Sequence, residues 1–424
     1  MEIAAVPVTD AAPMNNTRVV VTGIGAVTPL GLNSESFWFN LLQHKSGSSK
    51  IDSFDTSNFN VHYACQVKDF DPEIFITKKE LRRIDISTAY AFAATNEAIK
   101  DANINCLSEQ NDIGVIIGTG IGGIGTIERE YTKTLSERNS IVDPFFINKM
   151  SPNTPASFIA LKLGIHGPSF GISSACSSSS TAILNAYNMI KNGIAQIIIT
   201  GGTEAPITPW AIANFDAMHA LSRKNNKHAC CPWDVERDGF VIGEGAGILI
   251  LENLDHALKR NAKIYAEISG FGICSEAYHI TSPEPSGKFI AKIMLDAIKN
   301  SNLTPDDVDY LNLHATATKI GDDAEANAVE EVFKNTNCRM SATKSSLGHS
   351  LGAAGAIETL CCILAMQHGI VPATINTSNI DGEISKNLKF IIGKNVQCNI
   401  QVALNNSFGF GGHNVSFILK KYGM

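Results

Sequence analysis

What this 424-residue chain lacks narrows its chemistry before any one residue is singled out. No run of eighteen uncharged apolar residues occurs, so no segment reads as a membrane-spanning helix. No Lys/Arg run is long enough to follow a phosphate backbone, and 34 basic residues against 41 acidic ones leave a net charge of −7. That balance argues against a nucleic-acid partner. The ten cysteines include no Cys-x-x-Cys pair, and the eleven histidines form no His-x-x-x-His array. Cys230-Cys231 and Cys361-Cys362 are adjacent, a spacing poorly suited to one zinc, so no metal is expected. Residues 1–17 lack the basic start and continuous apolar stretch of a secretion signal and read as a loose arm. Reduced thiols and a cytoplasmic address are the expectation.

What is present is length, with repetition inside it. The chain exceeds the ~250–300 residues at which single cores stop growing, so two fused halves are expected. Residues 87–118 read as a helix ending in Ala98-Ile99-Lys100-Asp101-Ala102-Asn103-Ile104, a polar loop and the strand 113–118. Residues 288–318 repeat that plan, with Ala297-Ile298-Lys299-Asn300-Ser301-Asn302-Leu303 closing the helix and a strand over 308–313. Repetition at this scale precedes any fold assignment. Runs such as Arg18-Val19-Val20-Val21-Thr22-Gly23 and Gly247-Ile248-Leu249-Ile250-Leu251 are continuous and apolar, as strands covered on both faces are. Layered α/β architecture with mixed sheets is expected. The charged stretch 253–263 marks the boundary, giving an arm at 1–17 and halves at 18–256 and 257–424.

Cys176 stands out within the first half. It closes the run Pro168-Ser169-Phe170-Gly171-Ile172-Ser173-Ser174-Ala175 and opens one that is first small and polar, then apolar on a helical period. Strand, sharp turn and helix are predicted, with the thiol at the helix start. Unpaired N–H groups and the positive end of the macrodipole favour thiolate there, which makes Cys176 a candidate nucleophile.

Four segments extend this pattern: Ser174-Ala175-Cys176; His314-Ala315-Thr316-Ala317-Thr318 with Gly321-Asp322 and Glu325; Ser341 to His349 with Gly352-Ala353-Ala354-Gly355; and Asn406-Ser407-Phe408-Gly409-Phe410-Gly411-Gly412. Together with Pro232-Trp233-Asp234 through Gly245-Ala246-Gly247, the chain resembles a β-ketoacyl-acyl-carrier-protein synthase of the elongating type II kind. The resemblance runs from about Arg18 to Lys421. It implies a thiolase-like α/β fold, two duplicated halves in αβαβα layers, and decarboxylative Claisen condensation of an acyl group with malonyl-acyl carrier protein.

That chemistry assigns roles to residues. Cys176 takes the acyl group, because its thiolate is both a nucleophile and a leaving group. His314 and His349 face the negative charge that builds as carbon dioxide leaves. Both need only be neutral near pH 7, where an ordinary imidazole already is in large part. By the resemblance, Lys344 orients the site and the backbone N–H groups of Cys176 and Phe410 form the oxyanion hole, with glycines beside them allowing close approach. The resemblance further implies that Phe408 and Phe410 gate acyl entry, that Thr316 and Thr318 bind the pantetheine arm, and that Ile121 lies at the acyl pocket near a dimer interface. No cofactor is implied, since substrates ride on the phosphopantetheine of the acyl carrier protein. Arg223, Lys224 and Lys227 form the clearest basic cluster for docking that acidic carrier.

Some positions depart from the family's usual pattern. Ala315 and Ala317 replace Gly and Ser, Ser177 to Thr181 replace a stretch that commonly carries a histidine, Glu276 replaces Asp, and His413 replaces Thr. The catalytic set is intact, whereas the pocket and gating segments differ, which draws the reading from fatty-acid chain elongation toward a polyketide or polyene pathway, with both left open. Two other hypotheses compete. A non-catalytic partner subunit that shapes the pocket of a heterodimer would be expected to lack Cys176, and a degradative thiolase would carry a second cysteine near the turn 408–412. A homodimer or a heterodimer with a paralogous subunit is equally open.

Overall fold

The structure, a computed structural model, describes residues 17–106, 108, 112–136, 142–382, 384 and 387–423. The expected N-terminal arm lies outside them except for Thr17. The first half contributes strands β1 (Val19–Val27), β2 (Ile113–Gly118), β3 (Ser169–Ile172), β4 (Ile197–Glu204) and β5 (Gly245–Asn253). The second contributes β6 (Ala266–Ser275), β7 (Tyr310–Asn312), β8 (Arg339–Ser341), β9 (Lys389–Phe390), β10 (Val402–Gly409) and β11 (His413–Lys420). They form one sheet in the order β9-β8-β7-β10-β11-β6-β1-β5-β4-β2-β3. Outward from the β1/β6 junction the order reads 1-5-4-2-3 on one side. The other side reads 6-11-10-7-8-9, the same topology with one strand added, so the duplication legible in sequence is a duplication of strand order.

The junction itself is short. Only Val19, Val20 and Val21 pair with Ile268, Glu267 and Ala266, which lets the two sheet halves turn against each other and enclose a layer. That middle layer is a helix pair, α3 (Ser178–Lys191) and α6 (Ala354–His368). Ala182, Ile183, Ala186 and Ile190 of the first and Ile357, Leu360 and Ile363 of the second share one buried cluster with Val19, Leu251 and Phe417 of the strands. Each fully buried Ile or Leu there contributes ~1.5–3 kcal/mol. The outer layers are α1 (Ile86–Ala102) and α2 (Thr154–Leu163) on one side, and α4 (Lys288–Asn300) and α5 (Lys319–Phe333) on the other. The αβαβα layering follows.

Strands sandwiched this way must be apolar throughout, and all nine residues of β1 are buried. Gly25 shows how closely α1 sits: a Cβ there would lie 2.0 Å from the Ala94 carbonyl oxygen. The stretch Leu351–His368 is long and apolar enough to cross a bilayer by length and composition, but 89% of it is buried inside the molecule, as a central core helix is. The expected strand over 308–313 is trimmed to Tyr310–Asn312. A 3₁₀ turn at Pro305–Asp307 precedes it, and the Asp309 carboxylate is committed to the N–H groups of Gln401 and Val402. Residues 254–259 of the proposed boundary form a short helix between β5 and β6.

Candidate active site

Parallel strands β2, β3 and β4 in one half, and β7, β8 and β10 in the other, point their carboxyl ends at a common crevice, where α/β sheets usually place ligands. Cys176 enters it from an elbow between β3 and α3. Ala175 takes φ +52°, a left-handed conformation a non-glycine residue seldom adopts. The serines around it hold the turn. Ser178 Oγ accepts from the Ser174 N–H at 2.9 Å and donates to the Ala175 carbonyl at 2.6 Å. Ser179 Oγ accepts from the Ala356 N–H, and Ser180 Oγ meets Ser407 Oγ at 2.7 Å. The polar run after the cysteine is thus a set of fasteners joining α3 to α6 and β10. Cys176, 7% exposed, sits two residues before the first residue of α3.

One expectation about this residue is corrected. The thiol is not a resting thiolate: burial pushes it up to about 12, outweighing the pull of Lys344 and of the N–H groups of Phe410 and Cys176. Desolvation defeats the helix terminus because the sulfur has little water around it. The same backbone N–H groups, Phe410 and Cys176, are those expected to form the oxyanion hole, and both face the sulfur.

His314 follows β7 by two residues, and its backbone N–H, with that of Ala315, is held by the buried Glu325 carboxylate at 2.9 and 2.7 Å. Lys344 Nζ lies 3.3 Å from His314 Nδ1 and forms a close ion pair with Glu358. An ammonium only donates, so Nδ1 accepts and the ring proton sits on Nε2. Lys344 is 1% exposed and is not on the cavity wall; it acts through His314. Burial raises the Glu358 carboxyl while Lys344 draws it down.

His349 is fixed by its backbone, its N–H donating to the Val241 carbonyl at 2.7 Å and its carbonyl accepting from Gly243. The Phe240 ring stands edge-on to it at 5.1 Å, and the His314 ring at 5.4 Å and 88°. Its Nδ1 has no hydrogen-bond partner among the described residues. Burial and the nearby Lys344 charge hold both imidazoles well below the usual histidine range. Two neutral rings, one with Nε2–H assigned, therefore stand beside the thiol.

Cys176, His314, His349, Thr316, Thr318, Phe408 and Phe410 line one cavity of about 500 Å³. Thr316 and Thr318 hydroxyls lie 3.0 Å apart. Phe408 rests on His314 at 5.4 Å, and Phe410 occupies the hairpin turn between β10 and β11. Two departures from the family pattern meet there. Gly411 N–H donates to the Ile280 carbonyl, and the Glu276 carboxylate joins Asn414 and the Glu284 N–H. His413 is exposed at the same turn.

Ile121 is not among the residues lining this cavity. It is half-buried against the apolar cluster that contains Cys176, Phe240 and Leu351, so any acyl contact lies beyond the described cavity. The basic cluster is also less free than its sequence suggests. Arg223 pairs with Asp216 at 2.7 Å and Lys224 Nζ donates to Cys231 Sγ at 3.4 Å, whereas Lys227 is exposed. Sequence reasoning missed Glu358. A lone acid inside the apolar run 354–366 was its signal, because a buried charge requires a partner. It also missed Glu204, which ends an apolar strand.

Residues 16–257 match the β-ketoacyl synthase N-terminal domain and residues 265–378 its C-terminal domain. The 3-oxoacyl-[acyl-carrier-protein] synthase 2 of Synechocystis sp. is 42% identical over 417 residues, covering 97% of this chain and all of that protein. Among solved structures, the ishigamide ketosynthase/chain length factor superposes with TM-score 0.90 at 31% identity, covering 96% of this chain and all of that one. A type II PKS acyl-carrier protein in complex with its ketosynthase gives TM-score 0.87 at 31% identity, over 95% of this chain and 99% of that one.

Proposed function

This chain belongs to the β-ketoacyl synthase family, and from that premise we propose that its site condenses an acyl group held on Cys176 with malonyl-acyl carrier protein. The observation that carries this reading is the convergence of the Cys176 thiol, two neutral imidazoles and the Phe410 N–H on one cavity.

In the loading step Cys176 Sγ attacks the carrier thioester. A new S–C bond forms, the carrier thiol leaves, and the proton shed by Cys176 goes to it by way of a neutral imidazole. Malonyl carrier then replaces it, the bond to its carboxylate breaks, and carbon dioxide departs with the electron pair left on an enolate. His314 Nε2–H and the His349 ring hydrogen-bond that oxygen, as donors pre-aimed at developing charge. The enolate carbon attacks the acyl-cysteine carbonyl, whose oxyanion accepts the N–H groups of Cys176 and Phe410. Collapse expels the cysteine thiolate and leaves 3-oxoacyl carrier. No cofactor enters the scheme: Thr316 and Thr318 hold the phosphopantetheine arm, and Phe408 with Phe410 gate the acyl group. The reaction is placed in the cytoplasm, where a reducing setting suits a nucleophilic cysteine.

The test is mass spectrometry of the purified chain with acyl carrier. Cys176→Ala is expected to abolish the acyl adduct with the fold retained; an adduct persisting on the variant would overturn the assignment. A second reading concerns the partner. Among the described residues β3 pairs only with β2, so its outer edge can continue the sheet into a second subunit, either another copy or a paralogue. The ketosynthase/chain length factor neighbour favours the paralogue, and the presence of Cys176 marks this chain as the acyl-accepting member. Activity of the chain alone, against activity only with a paralogue, distinguishes the two.

A further inference from the structure

Glu204 ends β4 with 0% exposure and, among the described residues, no ion-pair partner. Instead four donors from two separate segments converge on it. Thr119 Oγ1 lies at 2.8 Å, the Gly120 N–H at 2.6 Å, the Ile121 N–H at 3.2 Å and the Gly352 N–H at 2.9 Å. Both glycines are required by this arrangement: a Cβ at Gly352 would meet Glu204 Oε2 at 2.6 Å and the Gly120 nitrogen at 2.2 Å, and one at Gly120 would meet Oε2 at 2.9 Å.

The two segments flank the nucleophile. Gly120 also accepts from Ser173 Oγ at 3.1 Å, which ties it to the elbow carrying Cys176. Gly352 follows His349 by three residues, and Leu351 between them lines the cavity. A single carboxylate therefore joins the Ile121 loop, the cysteine elbow and the His349 turn. Its negative charge also opposes ionisation of the nearby sulfur, and its own carboxyl is pushed up to about 7 by burial despite the four donors.

The geometry points to Glu204 as a positioning residue that acts through the Ile121 loop and the cysteine elbow: it clamps both against the His349 turn and places a carboxylate beside the nucleophile. This rests on the reading of Cys176 as the nucleophile.

The test is the rate at which iodoacetamide alkylates Cys176 in the full-length chain, followed by peptide mass from pH 7 to 9. Glu204→Gln removes the charge, and the pH-rate line is expected to move toward acid, most at the pH 9 end, above the carboxyl's own value of about 7. At pH 9 a displacement of about half a unit appears as roughly threefold faster alkylation. Thr119→Val removes one donor but leaves the carboxylate, so its line is expected to overlay the wild type while its product lengths broaden. An unmoved or alkaline-shifted line for Glu204→Gln, or equal acceleration in Thr119→Val, would overturn the inference, since loosening alone would then explain the change. Should Glu204→Gln fail to fold, an acceleration in Thr119→Val would overturn it and an overlay with broadened products would uphold it. Labelling that misses Cys176 altogether would instead overturn the assignment of the nucleophile.

Discussion

Replacing His314 with alanine separates the two halves of the proposed reaction. In the structure the ring proton is assigned to Nε2 because Lys344 Nζ occupies the Nδ1 side at 3.3 Å, and the ring lines the cavity beside Cys176. The variant loses that donor toward the enolate oxygen. A single preaimed donor of this kind contributes ~2.7–4 kcal/mol to the transition state, so carbon dioxide release from malonyl carrier is expected to fall about 100- to 1000-fold. Acyl transfer onto Cys176 is expected to persist, because the N–H groups that face its sulfur belong to Phe410 and Cys176 and the His349 imidazole remains on the cavity to relay the proton. Single-turnover release of labelled carbon dioxide measures the first step, and intact mass of the acyl-enzyme measures the second. Thermal unfolding controls for the cavity left between the His349 and Phe408 rings. Wild-type decarboxylation in a folded variant would remove His314 from the mechanism, and equal loss of both steps would refute the division of labour.

Other perturbations give separable outcomes. Lys344→Ala leaves the Glu358 carboxylate buried without its partner, and urea unfolding is expected to show a loss of ~3–5 kcal/mol, part of which Glu358→Gln in the same chain restores. Ile121→Phe is expected to shorten the products without slowing acetyl loading; an unchanged length distribution would place the acyl chain elsewhere. Reversing Arg223 and Lys224 to Glu is expected to raise KM for carrier substrates and not for small thioesters, with the difference fading as salt is added, and equal effects on both would exclude that loop as the docking site. With the Cys176 thiol pushed up to about 12, its thiolate fraction grows tenfold per pH unit through the neutral range. Alkylation of the free enzyme is therefore expected to climb from pH 7 to 9 without a plateau, and a plateau near neutrality would contradict the burial of the sulfur.

The fold was legible where local pattern and global demand coincide. The continuous apolar runs at 19–23 and 247–251 could only be strands covered on both faces, and the helix–loop–strand repeat exposed the duplication. What the sequence could not show is depth. The positive end of a helix and the burial of a thiol act in opposite directions on Cys176, and only the packing of α3 against α6 shows that burial prevails. Lys344 was legible as a residue of the site, but its place behind His314 depends on Glu358, fourteen residues on and across a turn. Arg223 looked like a free cation because Asp216, seven residues earlier, folds back onto it. Ile121 was placed by resemblance, and the hydrogen bond of its backbone N–H to Glu204 is visible only in the fold.

The most direct measurement follows the mass of the peptide bearing Cys176 through one turnover. The purified chain, alone or with a paralogous subunit, is given acyl carrier and then malonyl carrier, while carbon dioxide and carrier-bound products are counted. The account predicts that the acyl mass appears on Cys176 and then leaves it, with one carbon dioxide and one 3-oxoacyl carrier formed for each acyl group lost. Formation of 3-oxoacyl carrier without any acyl mass on Cys176 would contradict it.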